Sequence, residues 1–275
     1  MAAVPASPPV RFATARLSTG LSLHYAEQGG RDGEPLLLLH GWPDSWFTFS
    51  RVMALLPPTL RVIVPDQRGF GDSGKPAHGY TIPDFAADAV ALLDAVGVER
   101  ATVVGHSFGS FVARRVALSH PERVARLVLI GTAVSAISPA TREAQAALRD
   151  LPDPVPMAFA RDFQASTAFA PLPPPFFEQI VRESMKMPAH VWHATLDALL
   201  AYDDAAELSR LTMPTMLLWG AHDALFDRRN QDRLLEAIPG VRLEVYDDAG
   251  HCPNWERPER VAENLQAFLQ STPAR

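Results

Sequence analysis

The spacing of apolar positions changes several times along this chain, and each change marks an element. Apolar and polar residues alternate over 10–17 and 21–26 about Ser18-Thr19-Gly20, which predicts a β-hairpin. Leu36-Leu37-Leu38-Leu39 is an unbroken apolar run, as expected of a parallel strand covered on both faces. Residues 61–65, 101–107, 124–130, 215–219 and 241–246 read as further strands, rich in β-branched and apolar side chains. Helical spacing separates them. Over 82–96, Ile82, Phe85, Ala89, Leu92, Leu93 and Val96 share one face, and Gly97 ends the run. A short helix is predicted over 46–56, one from Phe108 to Ser119 that His120-Pro121 stops, and two more over 228–237 and 258–269.

Strands alternating with helices predict a mostly parallel sheet with helices on both faces. The alternation stops at Gly131. Residues 133–210 are helical in pattern and broken by prolines at 152, 154, 156, 171 and 173–175, so they read as an insertion lying over the sheet. The expected organisation is a core of 1–132 and 211–275, interrupted by a helical segment at 133–210. Residues 1–9 form a Pro/Ala/Ser tail, expected to be mobile.

In such sheets ligands bind beyond the carboxyl ends of the strands. His40, Ser107, Asp223 and His251 each follow a predicted strand directly, so residues far apart in sequence converge on one edge. Ser107 sits in Gly105-x-Ser107-x-Gly109, between a β-branched run and an amphipathic helix. A sharp strand-to-helix turn leaves no room for Cβ atoms beside it, and such a turn presents the serine hydroxyl outward. The simpler reading is that Ser107 caps the following helix.

A serine hydroxyl needs a general base at neutral pH. His251, in a strand-end Gly-His turn near the chain end, is the candidate. His24 lies in the hairpin, and His78, His120, His190 and His193 lack a strand-end position. His222 is expected to pack or face solvent, and His106 to point away from Ser107. An acid must hold the other imidazole nitrogen. Asp223 is the choice, with Asp227 and Asp248 as rivals; the loop after residue 130 reads Gly131-Thr132-Ala133 and offers no carboxylate. Two N–H donors should face the developing oxyanion. The backbone of Phe108, at a helix N-terminus, is one, and that of Trp42, held extended by Pro43, is the other.

Composition narrows the field by exclusion. The 275 residues carry a net charge of −6, so no basic field invites nucleic acid or an anionic membrane. One cysteine, Cys252, rules out an intramolecular disulfide and a cysteine-based zinc cluster, in keeping with a cytoplasmic protein. Met1–Pro9 has neither a basic start nor an apolar stretch of signal-peptide type, and no apolar run reaches membrane-spanning length. The expected partner is a small-molecule substrate, without metal or cofactor, in a monomer or homodimer.

His40-Gly41-Trp42-Pro43, Asp66-Gln67-Arg68-Gly69-Phe70-Gly71-Asp72-Ser73, Gly105-His106-Ser107-Phe108-Gly109, Asp223 and Gly250-His251 together resemble the α/β-hydrolase superfamily. The resemblance covers about 10–131 and 211–270, and implies an α/β-hydrolase fold in which 133–210 is the helical cap. The loops after residues 39 and 65 look like those of epoxide hydrolases and dehalogenases, which carry an aspartate at the elbow; this chain has Ser107. Epoxide hydrolases also use two cap tyrosines, and 133–210 holds only Tyr202. The serine-bearing relatives are carboxylesterases, lactonases, carbon–carbon bond hydrolases and perhydrolases, and some proteins of this fold are receptors of low turnover. The reading implied is a Ser107–His251–Asp223 hydrolase of a small-to-medium apolar ester or lactone. His40, Phe163, Trp192 and Trp219 are the candidate pocket residues. The other large apolar residues of the insertion, such as Phe159, Phe176 and Met187, are expected mainly to form its own core.

Overall fold

The computed structural model describes residues 8–272, so most of the expected N-terminal tail lies outside the described residues. The strands are β1 (Arg11–Arg16), β2 (Ser22–Gln28), β3 (Glu34–Leu39), β4 (Leu60–Pro65), β5 (Ala101–His106), β6 (Val124–Ile130), β7 (Thr215–Gly220) and β8 (Arg242–Tyr246). They form one sheet in the order β1-β2-β4-β3-β5-β6-β7-β8, in which only β2 opposes its neighbours. The helices are α1 (Ser50–Met53), α2 (Ile82–Ala95), α3 (Phe108–Ser119), α4 (Pro139–Leu148), α5 (Met157–Thr167), α6 (Pro174–Ser184), α7 (Ala189–Ala201), α8 (Arg228–Ala237), α9 (Pro253–Glu256) and α10 (Pro258–Ser271). The short α9, directly after His251, is an element that the spacing of apolar residues did not predict; four residues are too few to show a period.

Burial explains the unbroken apolar strands. Leu37, Leu39, Val103, Leu127, Leu129 and Leu217 point into the core beneath α2 and α3. Their neighbours Leu36, Leu38, Val104, Val128 and Leu218 point into the core beneath α1 and α10. Successive side chains alternate across a strand, so covering both faces demands apolar residues at every position. Among the described residues, no helix is long and apolar enough to cross a membrane.

The chain leaves β3, adds β4 on one side, then crosses to place β5 on the other. The carboxyl ends of β3 and β5 therefore flank the point where the strand order reverses, which opens a crevice there. Ser107 stands at this point with φ 51° and ψ −120°, the one non-glycine residue with positive φ among those described. Conformations of this kind cost about 1–3 kcal/mol and persist only where the surroundings enforce them. Here the Ser107 N–H donates to Ile130 O at 2.9 Å, and its carbonyl accepts from the Ser110 amide at 2.8 Å and the Ser110 hydroxyl at 2.6 Å. A Cβ on Gly105 would strike the Gly109 carbonyl, and a Cβ on Gly109 would strike that of Leu39. The two glycines thus let α3 start against the backbones of β5 and β3.

Between β6 and β7 the chain is helical, comprising α4–α7 and a 3₁₀ turn at Ala205–Arg210. Fully buried Arg114 ties both ends of this segment to α3. One guanidinium nitrogen donates to Ala133 O at 2.6 Å, where the segment departs, and another to Asp204 Oδ1 at 2.8 Å, where it returns.

Gly109→Ala is expected to cost about 1–3 kcal/mol or more, because the methyl meets backbone rather than a mobile side chain. Urea denaturation checks this; an unchanged midpoint would contradict the packing described for the turn.

Candidate active site

The strained turn aims the Ser107 hydroxyl out of the sheet, and the loops after β7 and β8 bring two further side chains to it. His251 Nε2 lies 2.8 Å from Ser107 Oγ, and His251 Nδ1 lies 2.9 Å from Asp223 Oδ2. A carboxylate only accepts, so Nδ1 carries the proton and Nε2 is left to accept from the serine hydroxyl. Asp223 Oδ1 accepts from the Leu225 and Phe226 amides at 2.8 and 3.0 Å, which fixes the carboxylate from behind. Ser107 is the formal N-cap of α3, yet its side chain makes no capping bond, so its hydroxyl faces His251 alone among these alternatives.

The rivals are occupied elsewhere. Asp227 caps α8 through the Asn230 amide, and Asp248 pairs with Arg257 at 2.5 Å on the surface. In the loop after β6, Gly131 leaves no room for a side chain. Its φ is 54°, and a Cβ there would come within 2.6 Å of the His251 carbonyl and 3.2 Å of its ring. His222 is exposed and stacks on Phe169.

Of the expected oxyanion donors, Phe108 is the first residue of α3, so its N–H has no carbonyl partner within the helix. Trp42 lies in the loop after β3, joined to Pro43 by a cis peptide bond. The start of that loop is bonded both to itself and to the loop after β4. His40 Nδ1 donates to Gly41 O at 2.8 Å, and its Nε2 accepts from the Gln67 amide at 3.0 Å. Burial holds the His40 pKa down to about 4, so it is a neutral strut. His24, Asp66 and Asp72 lie close enough together to suggest a cation site. However, Asp66 already accepts from His24 Nδ1 and from the Trp46 and Asp72 amides, each at 2.8 Å.

A cavity of about 30 Å³ lies against Ser107 and His251, walled by Trp42, Phe163, Leu196, Leu199 and Phe226 among others. Of the four expected pocket residues, only Phe163 lines it. His40 is locked beneath the loop. Trp192 stands behind the wall, edge-on to Trp42 at 5.0 Å, and donates its indole N–H to Met187 O. Trp219 is buried but does not line the cavity, and it donates its indole N–H to Phe226 O at 2.9 Å. Strand-end proximity in sequence does not reveal which way a side chain turns. His106 departs from expectation in the opposite sense. It does not turn wholly away: it lines the cavity, its ring 5.5 Å from that of His251, and it donates from Nε2 to the His251 carbonyl at 3.2 Å. A larger groove of about 550 Å³ lies at the opposite edge of the sheet, among Ala125, Thr215 and Arg242 at the strand starts.

The α/β hydrolase fold family model matches residues 34–258. The chain belongs to the α/β-hydrolase fold family. It is 30% identical over 273 residues to 2-hydroxymuconate semialdehyde hydrolase of Pseudomonas sp. strain CF600, with 94% of each chain covered. It is 27% identical over 278 residues to cis-3-alkyl-4-alkyloxetan-2-one decarboxylase of Shewanella oneidensis, covering 92% of this chain and 86% of that one. A thermophilic esterase from Thermogutta terrifontis superposes with a TM-score of 0.83 at 26% identity, covering 95% of this chain and 99% of the esterase. Enzymes of this family are generally hydrolytic.

Two further carboxyls of this α/β-hydrolase chain reach the site. Glu256, in the unpredicted α9, accepts from the Gly250 amide at 2.9 Å beside His251 and from the Phe169 and Ala170 amides at 3.0 and 2.6 Å. With the bond from the His251 amide to Thr167 O at 3.1 Å, it fastens the histidine loop to the helical segment. Asp44 is fully buried and lines the cavity, accepting from Gln164 Nε2 at 2.9 Å and Thr48 Oγ1 at 3.2 Å. No lysine or arginine lines the cavity among the described residues, and burial pushes the Asp44 carboxyl up to about 6 despite its bonds from Gln164 and Thr48 and the nearby His251. The sequence offered a signal for Asp44, a carboxylate within a strand-end loop, but none for Glu256.

The folded protein thus binds the Asp44 proton more tightly than the unfolded chain. The cost of its charge is absent below about pH 4, grows as pH rises, and is fully present above about 6. Asp44→Asn is therefore expected to stabilise the protein at pH 8, by up to about 3 kcal/mol. The gain should vanish toward pH 4; denaturation midpoints at the two pH values check this.

Proposed function

We propose that this protein is a serine hydrolase of small-to-medium, largely apolar carboxylic esters or lactones, working through an acyl-enzyme on Ser107. The observation that carries the reading is the hydrogen-bonded line Ser107–His251–Asp223 opening on a mostly apolar cavity. His251 Nε2 takes the Ser107 proton as Oγ bonds to the acyl carbon, and the carbonyl oxygen becomes the oxyanion. Asp223 keeps the proton on Nδ1 and offsets the imidazolium charge. The Phe108 and Trp42 amides hold the oxyanion. His251 then passes the proton to the departing alkoxide. In the second half it takes a proton from water as the water oxygen bonds to the acyl carbon, and returns it to Ser107 Oγ as the Oγ–acyl bond breaks and the acid leaves. The residues 133–210 act as a cap that closes the cavity over the acyl group. The fold family and the likeness to a Thermogutta terrifontis esterase support this choice, and the likeness to an oxetan-2-one decarboxylase supports a cyclic-ester substrate, though not its hydrolysis.

A second reading, cleavage of a carbon–carbon bond by the same residues, is favoured by the likeness to 2-hydroxymuconate semialdehyde hydrolase. Against it, the cavity wall carries no lysine or arginine and does carry Asp44, so a carboxylate-bearing dienoate would meet no counter-cation. Perhydrolysis and a low-turnover receptor role would rest on the same side chains.

Ser107→Ala is expected to lower kcat/KM for p-nitrophenyl butyrate by at least about 10⁴-fold. It should also abolish labelling by a fluorophosphonate, with an unchanged circular dichroism spectrum. Residual turnover near the wild-type rate would remove Ser107 from the reaction. Turnover of a dienoate diketone well above that of the ester would favour the second reading.

A further inference from the structure

The polar groups on the cavity wall are unevenly spent. Thr167 Oγ1 donates to Gln164 O at 2.8 Å. Both hydrogens of Gln164 Nε2 are used, one on Asp44 Oδ1 at 2.9 Å and one on Ser184 Oγ at 2.8 Å. What remains is acceptor capacity. Asp44 Oδ2 accepts one bond, from Thr48, and has a second lone pair. His106 donates from Nε2 to the His251 carbonyl, so its Nδ1 bears a lone pair, and this buried atom has no partner. Asp44 Oδ2 and His106 Nδ1 stand 3.9 Å apart, too far to bond to each other, and both residues line the cavity that holds Ser107 and His251. Burial favours the neutral form of His106, so it supplies no charge to offset Asp44.

We infer that Asp44 Oδ2 and His106 Nδ1 form an acceptor subsite beside Ser107, which receives a hydroxyl group of the substrate and rejects a carboxylate. The inference rests on the proposed hydrolase reading and narrows its substrate class to hydroxyl-bearing esters or lactones. A buried acceptor without a donor is costly, and a substrate hydroxyl placed there satisfies it within a low-dielectric enclosure. A carboxylate at the same place would face Asp44 with no intervening cation. Sites of this kind discriminate strongly against an analogue that lacks the hydroxyl, because the protein group is then left unpaired.

The test uses the wild-type protein and needs no variant to fold. Initial rates by pH-stat at pH 8 are compared for ethyl butyrate, ethyl 3-hydroxybutyrate (both enantiomers), 2-hydroxyethyl butyrate and monoethyl succinate. The subsite predicts kcat/KM at least about tenfold higher for one hydroxyl-bearing ester than for ethyl butyrate, and the lowest value for the succinate. In Asp44→Asn and Asp44→Val, the hydroxyl-to-parent ratio should fall toward one. If ethyl butyrate is hydrolysed as well as every hydroxy ester, the subsite does not exist or merely holds water, and the hydrolase reading stands. If the preference survives both substitutions, the hydroxyl is bound elsewhere and the inference fails. If no ester is cleaved and Ser107 takes no fluorophosphonate, the hydrolase reading fails and the subsite falls with it.

Discussion

The fold depends most on a contact between backbones. At Ser107 three segments meet so closely that two of them can carry no Cβ: Gly105 lies against Gly109, and Gly109 against the end of β3. The approach forces the only positive φ found outside glycine among the described residues. The strain is held by the sheet itself, through the amide bond to Ile130 and the carbonyl bonds from Ser110. A hydroxyl on an ordinary helix start would turn back to cap its own backbone. Here the backbone prevents that and leaves the oxygen for His251.

The surrounding loops are set with the same economy of polar groups. His40 bridges two loops as a neutral ring, accepting from one and donating to its own, and Asp66 gathers three donors beneath the next loop. Each buried polar atom so satisfied stiffens the rim of the crevice. Against that background the unspent atoms stand out. Asp44 and His106 Nδ1 are buried without a full set of partners beside the cavity. Proteins commonly accept such a cost where a site must remain ready for a ligand.

The helical segment is joined to the site by polar bonds as well as by packing. Arg114 grips its two ends, Gln164 reaches down to Asp44, and Thr167 and Glu256 hold the loop that carries His251. Displacement of the segment would strip partners from the histidine loop, so the seating of this segment and the setting of the proposed base are one mechanical unit.

Much of this was legible in the chain. Continuous apolar runs announced a sheet covered on both faces, since alternate side chains must both be buried, and the glycines about Ser107 announced a turn with no room for Cβ atoms. The convergence of Ser107, Asp223 and His251 followed from their places at strand ends, because a parallel sheet puts all such ends on one edge. Sequence could not decide what each remaining side chain faces. Trp192 and Trp219 were expected at the cavity, yet neither lines it, their indole N–H groups being spent on Met187 O and Phe226 O, while Asp44 and His106 do line it and Glu256 holds the loop beside His251. Periodicity determines which residues are buried. Where a buried polar atom points is set by the partners that other segments bring within hydrogen-bonding distance, and only the tertiary structure supplies those.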